Sequence, residues 1–177
     1  MTKKSKILIA GGGGLGRCIA GLLTDMGHVV AGFLDDRKPL GTEVITGINV
    51  VGSPDSFDPA GDINGFICAI GDNKARELTF MKLNGKLSPF TFVHPTAAIS
   101  ADATLGPGSI ILPKAVVMPR AVLGTACLMD ALSLVDHDSL IGDFVHVGRG
   151  VLIGSECKIE SYTYLDDGTI VKSRTTR

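Results

Sequence analysis

Residues 123–147 read LGTACL-MDALSL-VDHDSL-IGDFVH-V when cut every six positions. Leu123, Met129, Val135, Ile141 and Val147 then open successive hexads. Extended in both directions, the same frame opens at Val93, Ile99, Leu105, Ile111, Val117, then through this stretch to Ile153, Ile159, Leu165 and Val171. All 14 openings are Val, Ile, Leu or Met, and the remaining 70 positions of 93–176 share only 13 such residues. An amphipathic helix repeats every 3.6 residues and cannot hold this register. The fifth position is restricted too, running Ala97, Ala103, Ser109, Ala115, Ala121, Cys127 and on to Thr175, every one small or β-branched.

A fixed short period predicts a stacked solenoid in which each unit buries its neighbour. Six residues make one short strand and a turn. The aliphatic position points inward, and the small fifth position is expected to let the chain take a tight corner. Gly106, Gly124, Gly142, Gly148 and Gly154 at the second position are expected to relax the backbone there. Successive coils then hydrogen-bond as parallel strands. The apolar sixth-position run Ile110, Val116, Val122, Leu128, Leu134 and Leu140 reads either as an interface or as ordinary surface packing.

Composition agrees. Gly is frequent at 23 residues, aromatic content is 5% and Trp is absent, which suits tight turns around a narrow aliphatic interior. Net charge is −1, so nothing points to nucleic acid or to a polybasic membrane surface. Cys18, Cys68, Cys127 and Cys157 contain no CxxC, which argues against a metal site. The basic start Met1 to Lys6 leads into no signal-like or spanning apolar run, so membrane insertion is not expected. Cytoplasmic residence with reduced thiols is expected.

The first half reads as α/β, a half-Rossmann β-α-β-α-β domain over residues 1–84, with 85–92 as linker and 93–177 as the solenoid. Lys6 to Ala10 is a strand, followed by Gly11-Gly12-Gly13-Gly14-Leu15-Gly16 and a helix closed by Gly27. Gly11, Gly13 and Gly16 fit G-x-G-x-x-G in the strand-to-helix context that cradles phosphate. Asp35 follows Gly16 by 19 residues, where an acid meets a ribose hydroxyl in dinucleotide folds. One half-domain is too short for a dinucleotide, which favours a nucleotide-linked ligand over NAD. A glycine-rich turn without ligand is the alternative.

In the solenoid, His137 sits off the core face between Asp136 and Asp138. A neutral imidazole accepts a proton near pH 7, and a neighbouring carboxylate orients it. A solvated surface histidine is the plainer reading of that residue alone. Cys127 and Cys157 occupy buried corner positions, which argues against a cysteine nucleophile and a covalent intermediate.

Taken together, the G-G-G-G-x-G turn, Phe33-Leu34-Asp35-Asp36, Ile70-Gly71-Asp72-Asn73-Lys74-Ala75-Arg76 and the segment Asp136 to His146 resemble the sialic acid O-acetyltransferase family. That family includes N-acetyltransferases acting on nucleotide-linked amino sugars, such as the one making bacillosamine precursors. The resemblance implies a left-handed parallel β-helix, against the usual right-handed crossover. It implies His137 as general base and Asp138 as the acid orienting it, where relatives often carry Glu. It places His146 near the acetyl group. Gly11, Gly13, Gly14, Gly16, Asp35, Asp36, Gly71, Asn73 and Arg76 match or adjoin positions that bind the nucleotide sugar. Acetyl-CoA is implied as co-substrate between the prisms of a homotrimer, without metal. A backbone N–H near Gly154-Ser155 is expected to hold the oxyanion. Relatives are expected to continue through further coils beyond Thr176, coils that help bind CoA. Glu160, Asp166 and Lys172 replace the small residue usual at the second position.

Three readings follow. The leading one is N-acetylation of a nucleotide-linked amino sugar; the others are O-acetylation of sialic acid and a non-catalytic nucleotide-sugar scaffold. A dehydrogenase ranks last, because the solenoid offers no residue set for hydride chemistry.

Overall fold

The computed structural model describes residues 4–59 and 62–177. The first three residues of the basic start lie outside the described residues. The chain divides into one unit ending at Phe90 and a second spanning Thr91–Arg177.

The first unit is a five-stranded sheet with two helices. Its elements are β1 (Lys6–Ala10), α1 (Gly14–Asp25), β2 (Val29–Leu34), β3 (Glu43–Ile45), β4 (Ile48–Gly52), β5 (Gly65–Cys68) and α2 (Asn73–Leu83). Strand order is β3-β4-β2-β1-β5, parallel except for the antiparallel β3–β4 pair. β1 lies between β2 and β5, and Ile7, Leu8, Ile9 and Ala10 are fully buried, as expected of a parallel strand covered on both faces. α1 turns Gly16, Ile19, Ala20 and Leu23 inward, an i, i+3, i+4, i+7 stripe.

Within the half-Rossmann unit a β3–β4 hairpin, not foreseen in the sequence, lies between β2 and β5, and the second helix, α2, follows β5. The hairpin turns at Thr46-Gly47, where Gly47 takes φ 75° and brings Ile45 opposite Ile48. Residues 85–92 are built into structure: the Phe90 N–H donates to Phe66 O at 2.8 Å, and Phe92 begins the first solenoid strand.

The second unit is the left-handed parallel β-helix. Its strands, β6 (Phe92–Val93) to β19 (Ile170–Val171), are two residues long and recur every six. Each pairs in parallel with the strand one coil away, 18 residues on, as in Val116↔Leu134↔Leu152. Three sheets result. A strand consists of the sixth and first hexad positions, and the first points inward. From Ile111 to Val171 those inward residues are at most 3% exposed and form one continuous core with the fifth-position residues. Burying each such side chain contributes roughly 1.5–3 kcal/mol, which drives the coils together.

Two expectations about the turns change. The left-handed residue is the fourth position, in twelve consecutive hexads from Gly108 (φ 73°) to Arg174 (φ 62°). Nine of them are not glycine, including Arg120, Asp138 and Glu156. The second-position glycines have no positive φ. They are required by close approach: a Cβ on Gly142 meets the Ser161 N at 2.5 Å, and one on Gly106 meets the Gly124 O at 2.1 Å.

Candidate active site

In the first unit, the glycine turn is shaped by contacts rather than by composition alone. Gly11 takes φ 101°, and a Cβ on Gly16 sits 1.9 Å from the Gly11 O, so helix and turn pack with no room for a side chain. Gly13 is the N-cap of α1 and offers no side-chain cap, and the first turn carries no acidic residue. No side chain of the helix's own first turn offsets its positive end. A Cβ on Gly13 or Gly14 meets nothing within 4 Å, so this side of the turn is open.

A cavity of about 460 Å³ lies beside the turn, lined by Gly11, Leu34, Asp35, Asp36, Arg37, Ile70 and Asp72 among others. It sits past the carboxyl ends of β1, β2 and β5, where strand order reverses about β1, the usual ligand crevice of an open parallel sheet. A second cavity of about 710 Å³ shares Asp35 and Asp36 and continues to Lys38, Ser53, Ser56 and Asp58.

The structure divides the expected residues of this unit into two groups. Gly13, Gly14 and Asp36 face open space or a cavity, and Gly71, exposed at the end of β5, is likewise unobstructed. Asp35 lines the crevice but is already engaged, accepting from the Gly12 N–H and the Arg37 N–H, each at 2.8 Å. Arg76 is turned inward. Its guanidinium is 1% exposed and donates to Ile70 O at 2.9 Å, Gly71 O at 3.0 Å and Asn73 Oδ1 at 2.7 Å. Burial of that charge is offset by hydrogen bonds that fix the 70–73 turn. Arg76 and Asn73 therefore brace the 70–73 turn, whose Ile70 and Asp72 line the crevice.

In the solenoid, His137 lies at a corner between two sheets. Its Nδ1 is 2.6 Å from Asp138 Oδ2. The same carboxylate accepts from Arg120 one coil below, Nε to Oδ1 at 2.6 Å and NH2 to Oδ2 at 2.7 Å. These two partners, Arg120 first, hold the Asp138 carboxyl well below the usual carboxylate range. A permanently ionised Asp138 beside Nδ1 favours the tautomer with hydrogen on Nδ1, leaving Nε2 as the proton acceptor. The His137 ring is 44% exposed, so Nε2 is accessible to a ligand. Arg120 was not among the expected residues. The signal was available, since 120 lies one 18-residue coil before 138.

His146 is elsewhere in the single chain. It stands on β15 in the solenoid's third sheet, buried, with Nε2 3.1 Å from Asp130 Oδ2 and its ring edge-on to Tyr164 at 4.7 Å. Within one chain, His137 and His146 are not brought together. Gly154 and Ser155, by contrast, lie one coil above Asp136 and His137 at the same corner, and the Glu156 N–H donates to the His137 O at 3.0 Å. The Gly154 N–H is occupied, donating to Val171 O at 2.9 Å. Of the two, the Ser155 N–H is the one outside the ladder.

The sixth-position apolar run also separates. Ile110 and Leu128 are buried, whereas Val122 and Leu140 are exposed, joined by Leu152 and Ile170 beyond the expected run. The exposed residues belong to the two sheets that meet at the His137 corner. No helix among the described residues is long and apolar enough to cross a membrane.

Comparison with known proteins gives the following. Residues 6–83 match the family described as the PglD N-terminal domain. No curated protein sequence matches. Among solved structures, the chain is similar to the acetyltransferase domain of PglB from Neisseria gonorrhoeae, solved with acetyl coenzyme A. That match has 25% identity and TM-score 0.76, and covers 98% of this chain and 96% of that one. It shares its fold with a variant of perosamine N-acetyltransferase from Caulobacter crescentus in complex with CoA and GDP-perosamine (24% identity, TM-score 0.73, 97% and 85% covered). WeeI from Acinetobacter baumannii also shares the fold (18% identity, TM-score 0.76, 98% and 96% covered). Relatives were expected to run on through further coils; the PglB domain and WeeI are each covered over 96% of their length, the perosamine N-acetyltransferase over 85%.

Proposed function

We propose that this chain is a hexapeptide-repeat acyltransferase of the PglD type and transfers acetyl from acetyl-CoA to the amine of a nucleotide-linked amino sugar. The observation that carries the reading is the His137–Asp138 pair, with Nδ1 fixed at 2.6 Å from a carboxylate and Nε2 left to act. The open glycine turn supports a diphosphate at the start of α1, and the crevice beside it supports the nucleoside.

In this reading the sugar amine attacks the thioester carbonyl while His137 Nε2 takes a proton from the attacking nitrogen. The tetrahedral intermediate then expels the CoA thiolate, which takes the proton back from His137. The products are an amide and CoA thiol, and no enzyme residue is acylated. The Ser155 N–H, one coil above His137, is the donor suited to the oxyanion. Positioning supplies much of the rate, and general-base help adds about 10²–10⁴-fold.

Assembly into a homotrimer is part of the proposal. The exposed Val122, Leu140, Leu152 and Ile170 lie on the two sheets flanking the His137 corner and supply an apolar surface for it. In that assembly His146 belongs to the site near the acetyl group through a neighbouring subunit, since one chain holds it apart from His137.

The test is an assay of purified protein with acetyl-CoA and a panel of UDP-, dTDP- and GDP-linked amino sugars, beside free and CMP-linked sialic acid. CoA release with one amino-sugar nucleotide is the expected result. Release only with sialic acid moves the reaction to a hydroxyl acceptor. Binding of a nucleotide sugar without any CoA release leaves a scaffold.

A further inference from the structure

We propose that Arg120 is a positioning residue that sets the tautomer of His137 by clamping Asp138. The inference rests on the proposed role of His137 as base and extends it to the coil below.

The geometry is a three-member chain. Arg120 grips both oxygens of Asp138 through Nε and NH2 at 2.6 and 2.7 Å, and His137 Nδ1 shares Oδ2 at 2.6 Å. A fork of this kind fixes the plane of a carboxylate as well as its distance. Asp has one methylene fewer than Glu and less reach. Here its backbone is held in the left-handed region at φ 59°, and the Arg120 fork completes the constraint. A neutral imidazole released from such a partner redistributes its proton between Nδ1 and Nε2, and the form with hydrogen on Nε2 cannot act as base from that atom. Arg120 is itself on a left-handed corner at φ 60°, so the coil repeat aims both side chains along one edge of the prism.

The charged groups around His137 are few. Asp136 on its own turn accepts the His137 backbone N–H at 2.7 Å. Asp138 and Arg120 form the pair just described. On the coil above, Glu156 is paired with Arg174 at 3.2 Å. Asp102, one coil below Arg120, adds a further negative charge felt by that guanidinium. Removing Arg120 therefore removes, among the described residues, the arginine or lysine paired with Asp138. The imidazolium form then gains, and the acid limb of the rate profile moves upward.

The experiment compares wild type, Arg120→Lys and Arg120→Met by ¹⁵N NMR of the imidazole rings above their titration. The His137 signals among the four histidines are identified by their loss in His137→Gln. Wild type is expected to hold hydrogen on Nδ1. Both variants are expected to show mixing with the Nε2–H form and a plateau kcat lower by about 10–100-fold, with little change in acceptor KM. In Arg120→Met the acid limb of kcat/KM rises by about half a pH unit or more, whereas Arg120→Lys, which keeps the charge, leaves the limb in place. A purely structural arginine would lower the urea midpoint and leave the tautomer unchanged, and that result overturns the proposal. The two readings fail separately. A tautomer shift with full transfer activity in His137→Gln removes the base and leaves the clamp. Lost transfer in His137→Gln with an unmoved tautomer in both Arg120 variants keeps the base and removes the clamp.

Discussion

Replacing Gly142 with alanine probes what sets the coil spacing of the solenoid. The added Cβ meets the Ser161 N at 2.5 Å, its Oγ at 2.7 Å and its Cα at 2.9 Å. Neither side yields easily. The Gly142 N–H is bonded to Ile159 O at 2.8 Å and the Asp143 N–H to Ser161 Oγ at 3.0 Å, so moving the coil apart stretches ladder bonds. Overpacking against fixed backbone costs about 1–3 kcal/mol or more, and the upper end is expected here because the obstacle is main chain. Gly150→Ala is the control. Gly150 is in the left-handed region at φ 63°, and its Cβ meets nothing within 4 Å. The left-handed penalty of about 1–2 kcal/mol is partly offset by roughly 0.4–1 kcal/mol of lost unfolded-state entropy. A net cost of about 1 kcal/mol or less follows, consistent with Leu132 and Lys114 tolerating the same corner position. The chain has no Trp, and its two tyrosines, Tyr162 and Tyr164, both lie in the solenoid, so tyrosine fluorescence during urea unfolding reports on that unit alone. An equal or smaller loss for Gly142→Ala than for Gly150→Ala refutes close approach as the reason for the second-position glycines.

Arg76→Ala is expected to cost the first unit about 1–3 kcal/mol, since it removes the buried guanidinium that donates to Ile70 O and Gly71 O and braces the 70–73 turn; loss of amide protection in β5 and α2 by hydrogen exchange checks this. Asp138 contributes through a depressed folded-state carboxyl, so its stabilisation is complete above the unfolded value of about 3.9 and is lost only as pH falls through the lower folded value. The urea-midpoint gap between wild type and Asp138→Asn should accordingly begin to close below about pH 4. A disulfide-exchange thiol titration at pH 8 should find a single fast cysteine: Cys18 is exposed, whereas Cys127 and Cys157 are buried and burial pushes the Cys68 thiol up to about 12.

The β-helix was legible because hydrophobic burial acts on every coil alike, so one inward position per hexad repeats through the whole second unit. What the period left open was the reason for each turn residue. Steric contact between coils separates Gly142, which has no room, from Asp138, which carries the left-handed φ; composition alone assigns both to turns. The β3–β4 hairpin went unread because Thr46-Gly47 is a two-residue signal inside a segment with no strong alternation. Of the candidate site, the His137–Asp138 contact was legible from adjacency, and Arg120 required folding the sequence back by one coil. The inward turn of Arg76 was not legible, because a motif match gives a residue's neighbourhood but not the direction of its side chain, and here three carbonyl acceptors draw the guanidinium inward.

The central claim is that the His137 imidazole takes the proton from the attacking amine. Its most direct test is single-turnover acetyl transfer by His137→Gln, with acetyl-CoA and the best amino-sugar nucleotide both saturating. A rate lower than wild type by about 10²–10⁴-fold, with nucleotide-sugar affinity unchanged, is the expected result. Transfer at the wild-type rate would contradict the claim and leave His137 as a surface residue beside an ion pair.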